Sequence, residues 1–228
     1  MNLALCFLAY GDEHIKEFNL LADDLLYYNS SIKIFVVTNN SNQINNKDIN
    51  IIETKEEFNF NLKRYGVQEA LKQYDDVLLL DTDLKFRDKT FSFLNNVESN
   101  GVYVPWIDKT LLHKDFRLTP DNNSYCKKLN HYNESEYRLM FIPEYCIYIK
   151  LSDDIDKENF ILNWSYLYEE TKDVQLLDRE NSKLKGAVEG CIIYLSCLNS
   201  NIPIKQSGDS LFGTITHYAS NSITTSLI

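Results

Sequence analysis

The sequence predicts a mixed α/β domain whose largely parallel central sheet is flanked by helices. Two observations carry this. Short apolar runs, "LALCFLA" at 3 to 9, "IKIFVV" at 32 to 37, "INIIE" at 49 to 53 and "VLLL" at 77 to 80, have the length of strands. Between them lie stretches of helical period, and strands alternating with helices build parallel sheets.

Tyr10 and Gly11 end the first run, and Asp12 is placed to cap the next helix. Ile15, Phe18, Leu21, Ala22, Leu25 and Leu26 then recur at helical spacing, which predicts an amphipathic helix over 13 to 28. "TNNSNQINN" after the second run is a loop, and Val67, Ala70, Leu71 and Tyr74 mark a helix over 60 to 73. In the second half, "GVYVPW" at 101 to 106 and "YCIYIK" at 145 to 150 read as strands. Phe160, Ile161, Trp164, Leu167 and Tyr168 form a helical stripe, and "EGCIIYLSCLNSN" at 189 to 201 forms a further helix. The span from 108 to 140 has no period, and long segments of that kind serve function or move. The whole chain, 1 to 228, is expected to be one domain.

Composition narrows the function classes. A formal net charge of -10 and a pI near 4.9 give no electrostatic support for gripping nucleic acid nonspecifically. Five cysteines, Cys6, Cys126, Cys146, Cys191 and Cys197, show no CxxC spacing and read as reduced packing residues of a cytoplasmic protein. The first apolar run is far short of the roughly 20 residues of a membrane span, so neither secretion nor an integral membrane segment is expected.

The motif that carries chemistry is "DDVLLLDTDLKF", an apolar strand that stops in Asp81-Thr82-Asp83. With eighteen aspartates in the chain, chance supplies about one Asp-x-Asp pair. Asp154-Ile155-Asp156, at a helix start where aspartates cap amides, is read as that pair. Asp81 and Asp83 instead end a buried strand, where charge is costly unless paired or bound to metal. Extended residues i and i+2 point the same way, so both carboxylates can face one cation; acids at a solvated strand exit are the other reading.

From its helix onward, "YGVQEALKQYDDVLLLDTDLKF" resembles the core of the GT-A fold glycosyltransferases, which use nucleotide-sugar donors. "VEGCIIYLSCLNSNIPI" followed by "GTITHY" resembles the closing elements of the glycogenin-like, retaining galactosyl- and glucosyltransferases. The likeness covers 1 to 107 and 143 to 218 as an order of elements. It implies one GT-A, Rossmann-like domain, with a nucleotide-sugar-binding half over 1 to 107 and an acceptor-binding, closing half over 108 to 228. It also implies that His217 completes a metal site with Asp81 and Asp83, and that Asp81 and Thr82 lie beside the donor. The family's fuller ending, His-x-x-Gly-x-x-Lys-Pro-Trp, is absent from "HYASNSITT". Two carboxylates and an imidazole suit Mn²⁺ better than Mg²⁺.

The resemblance implies further roles, each beside a plainer one. Ala9, Tyr10 and Gly11 fall where the family binds the nucleotide base, with Asn39 next to them; Tyr10 either stacks on uracil or is an exposed loop tyrosine. Lys63 and Arg64 are either donor contacts or solvated charges. Glu189 is an acceptor binder, a base, or a carboxylate that complements its helix dipole. His113, Lys114, Arg117, His131 and Tyr132 are expected on the acceptor side, where the acceptor is a glycan or similar hydroxyl compound.

Two other classes compete. A haloacid-dehalogenase-like phosphatase would use Asp81 as nucleophile with Asp209 of "QSGDSLFG", but its nucleophile ends the first strand, whereas about three strands precede Asp81 here. A catalytically silent nucleotide-sugar or glycan binder is the other alternative.

Overall fold

The computed structural model describes residues 2–105, 142, 145–172, 175–177, 183–185, 189–207 and 215–217. Trp106, Cys126, Asp209, and the five residues expected on the acceptor side between 108 and 140 lie outside the described residues. So do the side chains of Glu189, Cys191 and His217, whose backbones are described.

The first half follows the apolar pattern closely. Strand β1 (Leu3–Ala9) is buried along its whole length and leads into helix α1 (Asp12–Tyr28), which buries Ile15, Phe18, Ala22 and Leu25. Strands β2 (Lys33–Thr38) and β3 (Asn50–Glu53) come next, then a 3-10 turn at Phe60–Leu62 and helix α2 (Lys63–Leu71). Strand β4 (Asp76–Leu80) is buried throughout and is followed by a short strand, β5 (Leu84–Phe86).

The second half completes the same sheet with β6 (Gly101–Val104), β7 (Cys146–Lys150) and β10 (Ile204–Gln206). Helices α3 (Asp154–Thr171) and α4 (Glu189–Asn199) flank it. Asp153 caps α3 by accepting from the Ile155 and Asp156 amides, so the Asp154–Asp156 pair belongs to a helix start, as expected. A hairpin of β8 (Gln175–Leu177) and β9 (Lys183–Lys185) precedes α4.

The seven-stranded sheet has the order β10-β6-β7-β4-β1-β2-β3. Every pairing in it is parallel except the two made by β7, with β4 and β6. Successive residues along a strand point to opposite faces, and this splits the core in two. Leu78 and Leu80 of β4 join the cluster built on α1. Val77 and Leu79 join the cluster formed by α2, α3 and α4.

Two devices bring α2 close to the sheet and lock α3 onto it. Gly66 lets the helix approach, since a Cβ there would meet the Val37 side chain at 3.2 Å. Trp164 of α3, fully buried, donates its indole N–H to Asn61 Oδ1 at 3.0 Å. A buried donor left without a partner costs about 1–3 kcal/mol. Asn61→Leu is therefore expected to lower unfolding stability by about that amount, measured by denaturant titration; an unchanged midpoint would show the bond to be dispensable.

Candidate active site

The sheet order places the site. From β1 the chain runs outward through β2 and β3, then returns to lay β4 on the other side of β1. A sheet that reverses direction in this way opens a crevice at the carboxyl ends of the two central strands, where ligands bind. Tyr10 and Gly11 come after β1 there, and Asp81-Thr82-Asp83 comes after β4.

Strand β4 ends at Leu80, so Asp81 to Asp83 bridge β4 and β5 through a turn. The extended geometry expected for both carboxylates ends at Asp81, whose amide continues the β4–β7 register by donating to the Tyr145 carbonyl at 3.0 Å; Thr82 and Asp83 form a turn. The alternation of faces nonetheless persists in the contacts. Asp81 turns toward α2, where its Oδ1 accepts from Lys63 Nζ at 2.5 Å. Thr82 turns toward α1 and donates to Glu17 Oε2 at 3.3 Å. That glutamate also faces His14 Nδ1 at 3.2 Å.

Lys63 is not a solvated charge. Only 2% of its side chain is exposed, against 26% for Asp81. An ammonium that deep needs an anion, and Asp81 is one. Complete burial, above all, and the negative charge of Asp81 push the Cys146 thiol well above its ordinary range. Cys6 and Cys197 are likewise free, buried and shifted upward by burial, so these three cysteines are packing residues.

Arg64 is also withdrawn from solvent. Its guanidinium lies 4.2 Å from the Tyr65 ring centroid and 4.4 Å from that of Tyr168 on α3. It donates to the Asn61 carbonyl at 3.1 Å and to the Tyr65 hydroxyl at 2.8 Å, and it stands 3.9 Å from Glu56. Tyr65 in turn donates to Glu56, and burial together with that bond pushes its hydroxyl pKa up to about 12. These contacts make Arg64 the clamp between α2, α3 and the loop after β3. A cavity of about 480 Å³ opens beside the clamp, lined by Ile52, Glu53, Thr54, Lys55, Glu56 and Tyr65.

At the end of β1, Gly11 has φ +83, a conformation glycine adopts without strain. Its amide donates to Asn39 Oδ1 at 2.9 Å, so Asn39 ties the ends of β1 and β2 together. The Tyr10 hydroxyl donates to the Glu56 carbonyl at 2.8 Å. Ala9 is fully buried at the end of β1.

Strand β11 (Ile215–His217) pairs antiparallel with β5, and the register sets His217 opposite Leu84. That brings its backbone beside the residue directly after Asp83. Glu189 is the first residue of α4. Among the described residues no three His, Cys, Asp or Glu side chains converge to hold a metal ion. The turn's own donors suit a divalent cation: two carboxylates within three residues, one of them with a solvent-shielded oxygen at Asp83 Oδ1.

Removing Asp81 takes a carboxylate away from a buried ammonium. Asp81→Ala is expected to cost about 2 kcal/mol of stability, less than for a wholly buried pair because the carboxylate is part exposed. Thermal unfolding measures it, and an unchanged midpoint for Asp81→Ala would mean that Lys63 has another adequate anion.

No protein-family model matches the chain, and no curated protein matches it by sequence. Solved structures do match. The glycosyltransferase GlyE of Streptococcus pneumoniae TIGR4 aligns at a TM-score of 0.52 and 15% identity, over 96% of this chain and 55% of that one. The bifunctional glycosyltransferase WbbM aligns at 0.54 and 12%, over 90% of this chain and 39% of its own. The galactosyltransferase LgtC, solved with donor and acceptor sugar analogs, gives 0.49 and 14%, over 96% and 87%. At such identities the likeness is one of fold, and the fold of this chain is that of the GT-A glycosyltransferases.

Proposed function

We propose that the chain transfers a hexosyl group from a nucleotide sugar, UDP-linked, to a hydroxyl of a glycan or similar acceptor, with retention of configuration. The observation that carries this is the Asp81-Thr82-Asp83 turn at the crevice between β1 and β4, with β11 delivering His217 beside it. We assign the nucleotide-sugar half to 1–107 and the acceptor half to 108–228 of one domain.

Asp83, His217 and the Asp81 oxygen not held by Lys63 would hold the metal, Mn²⁺ in preference to Mg²⁺. As a Lewis acid the cation supplies stabilisation of the negative charge that builds on a leaving diphosphate. The protein's own part is to hold the reactants in place. Lys63 fixes the Asp81 carboxylate from the α2 side, and Glu17 holds the Thr82 hydroxyl from the α1 side. Asn39 sets the Gly11 amide, which fixes the mouth of the crevice at β1. Glu189, at the start of α4, is assigned to the acceptor side. The phosphatase reading is not favoured: its nucleophile belongs on the first strand, which here ends at Ala9 and is followed by Tyr10 and Gly11.

Incubation with a panel of UDP- and GDP-sugars should release nucleoside diphosphate from a UDP-sugar in the presence of Mn²⁺ and much more slowly with chelator. Asp83→Ala should lower that rate by roughly a hundredfold or more, the size expected for losing transition-state charge stabilisation. Cleavage of p-nitrophenyl phosphate without release from any nucleotide sugar would favour the phosphatase instead. Equal rates for the variant and the wild type would show the metal assignment to be wrong.

A further inference from the structure

The loop between β3 and α2 exposes two phenylalanines. Phe58 and Phe60 are each 44% accessible. Single exposed apolar side chains are ordinary on any protein surface, but these two belong to an ordered row. The Tyr10 and Phe58 ring centroids are 5.4 Å apart, and those of Phe58 and Phe60 are 5.1 Å apart. Lys63 Nζ lies 5.7 Å from the Phe60 ring centroid, and the same atom holds Asp81. The row thus begins at the end of β1 and finishes at the Asp-Thr-Asp turn.

The loop under these rings is tied down. Glu56 accepts from Tyr10 through its carbonyl and from Tyr65 through its carboxylate, and Asn59 Nδ2 donates to the Glu57 carbonyl at 3.2 Å. The 3-10 turn at Phe60–Leu62 then runs directly into α2. Rings held in place before a ligand arrives lose little freedom on binding it.

Tyr10 is the tyrosine expected to stack on a base. Its hydroxyl is already engaged with Glu56, and its ring, part-buried, tilts at 54° against Phe58. Phe58 is the more exposed ring of that pair, and it stands one ring further from Asp81 than Phe60 does. The geometry points to Phe58 as the face on which the donor's nucleobase stacks, with Phe60 extending the apolar wall toward the diphosphate. This rests on the nucleotide-sugar reading above. A nucleobase fits the row because it is planar, presents a π face, and stays at a fixed reach from the diphosphate anchored near Lys63 and Asp81. An acceptor hydroxyl instead meets the sugar carbon beyond the other end of the diphosphate.

Calorimetric titration of the full chain in Mn²⁺ with UDP, GDP and inorganic pyrophosphate tests the assignment. Phe58→Ala should weaken the nucleotide that the wild type binds by roughly tenfold or more, the usual loss of a base-stacking ring. It should leave pyrophosphate unaffected. Phe58→Trp should retain nucleotide affinity. Should Phe58→Ala fold poorly, Phe58→Leu keeps the apolar packing without the π face and gives the same comparison. Unchanged nucleotide affinity in the Phe58 variants, or an equal loss of pyrophosphate, would overturn the proposal while leaving the nucleotide-sugar reading intact. A wild type that binds pyrophosphate and neither nucleotide would overturn it as well. Failure of the wild type to bind all three ligands would bring down the nucleotide-sugar reading and the Phe58 assignment together.

Discussion

Lys63 has 2% of its side chain exposed, and its ammonium is held by Asp81. Much of the site's geometry depends on that pair. A cation so far from water is tolerated when an anion meets it at hydrogen-bond distance, so the first aspartate of the turn is held in one place before any ligand arrives. Around the pair, Arg64 stacks between Tyr65 and Tyr168, and Asn61 holds Trp164. The start of α2 is therefore pinned both to the sheet and to α3, and Lys63 has little room to drift.

The pleat of β4 decides which helix holds which residue. Leu78 and Leu80 face α1, Val77 and Leu79 face the α2 side, and the alternation continues past the strand's end. Asp81 consequently meets Lys63 on α2, while Thr82 meets Glu17 on α1. The turn is gripped from both faces of the sheet. This leaves Asp83 and the short strand β5 to carry the chain across to β11, and that pairing brings His217 from far along the sequence to the same edge. On the proposed reading a cation must be fixed relative to the donor, and a turn held from two sides with a closing strand beside it meets that need.

Much of this was legible in the amino-acid sequence, and the parts that were not share a physical reason. β1, α1, β2, β3 and β4 carry apolar patterns long enough to declare their type, and their order implies a parallel sheet. β5, β8 and β9 are three residues each, too short for any period to stand out. The antiparallel placement of β7 between β4 and β6 depends on pairing across a long stretch of chain, which local pattern does not encode. The basic pair Lys63-Arg64 was visible as charge, yet its burial was not, because the Tyr168 ring that covers Arg64 and the carboxylate that receives Lys63 come from distant segments. Glu17, Trp164's bond to Asn61, and Phe58 were missed for the same cause. Phe58 left a trace in "EEFNF", two aromatic residues in an otherwise polar loop at the carboxyl edge.

On the proposed reading, β11 brings His217 to a cation shared with Asp83. Titrating Mn²⁺ into the wild type and a His217→Ala variant, with the free ion counted by its electron paramagnetic resonance signal, tests it without reliance on turnover. One Mn²⁺ should bind per chain in the presence of UDP, with affinity lower by roughly tenfold or more in the variant, as for loss of one ligand-shell group. Equal Mn²⁺ affinity in the two proteins would contradict the claim.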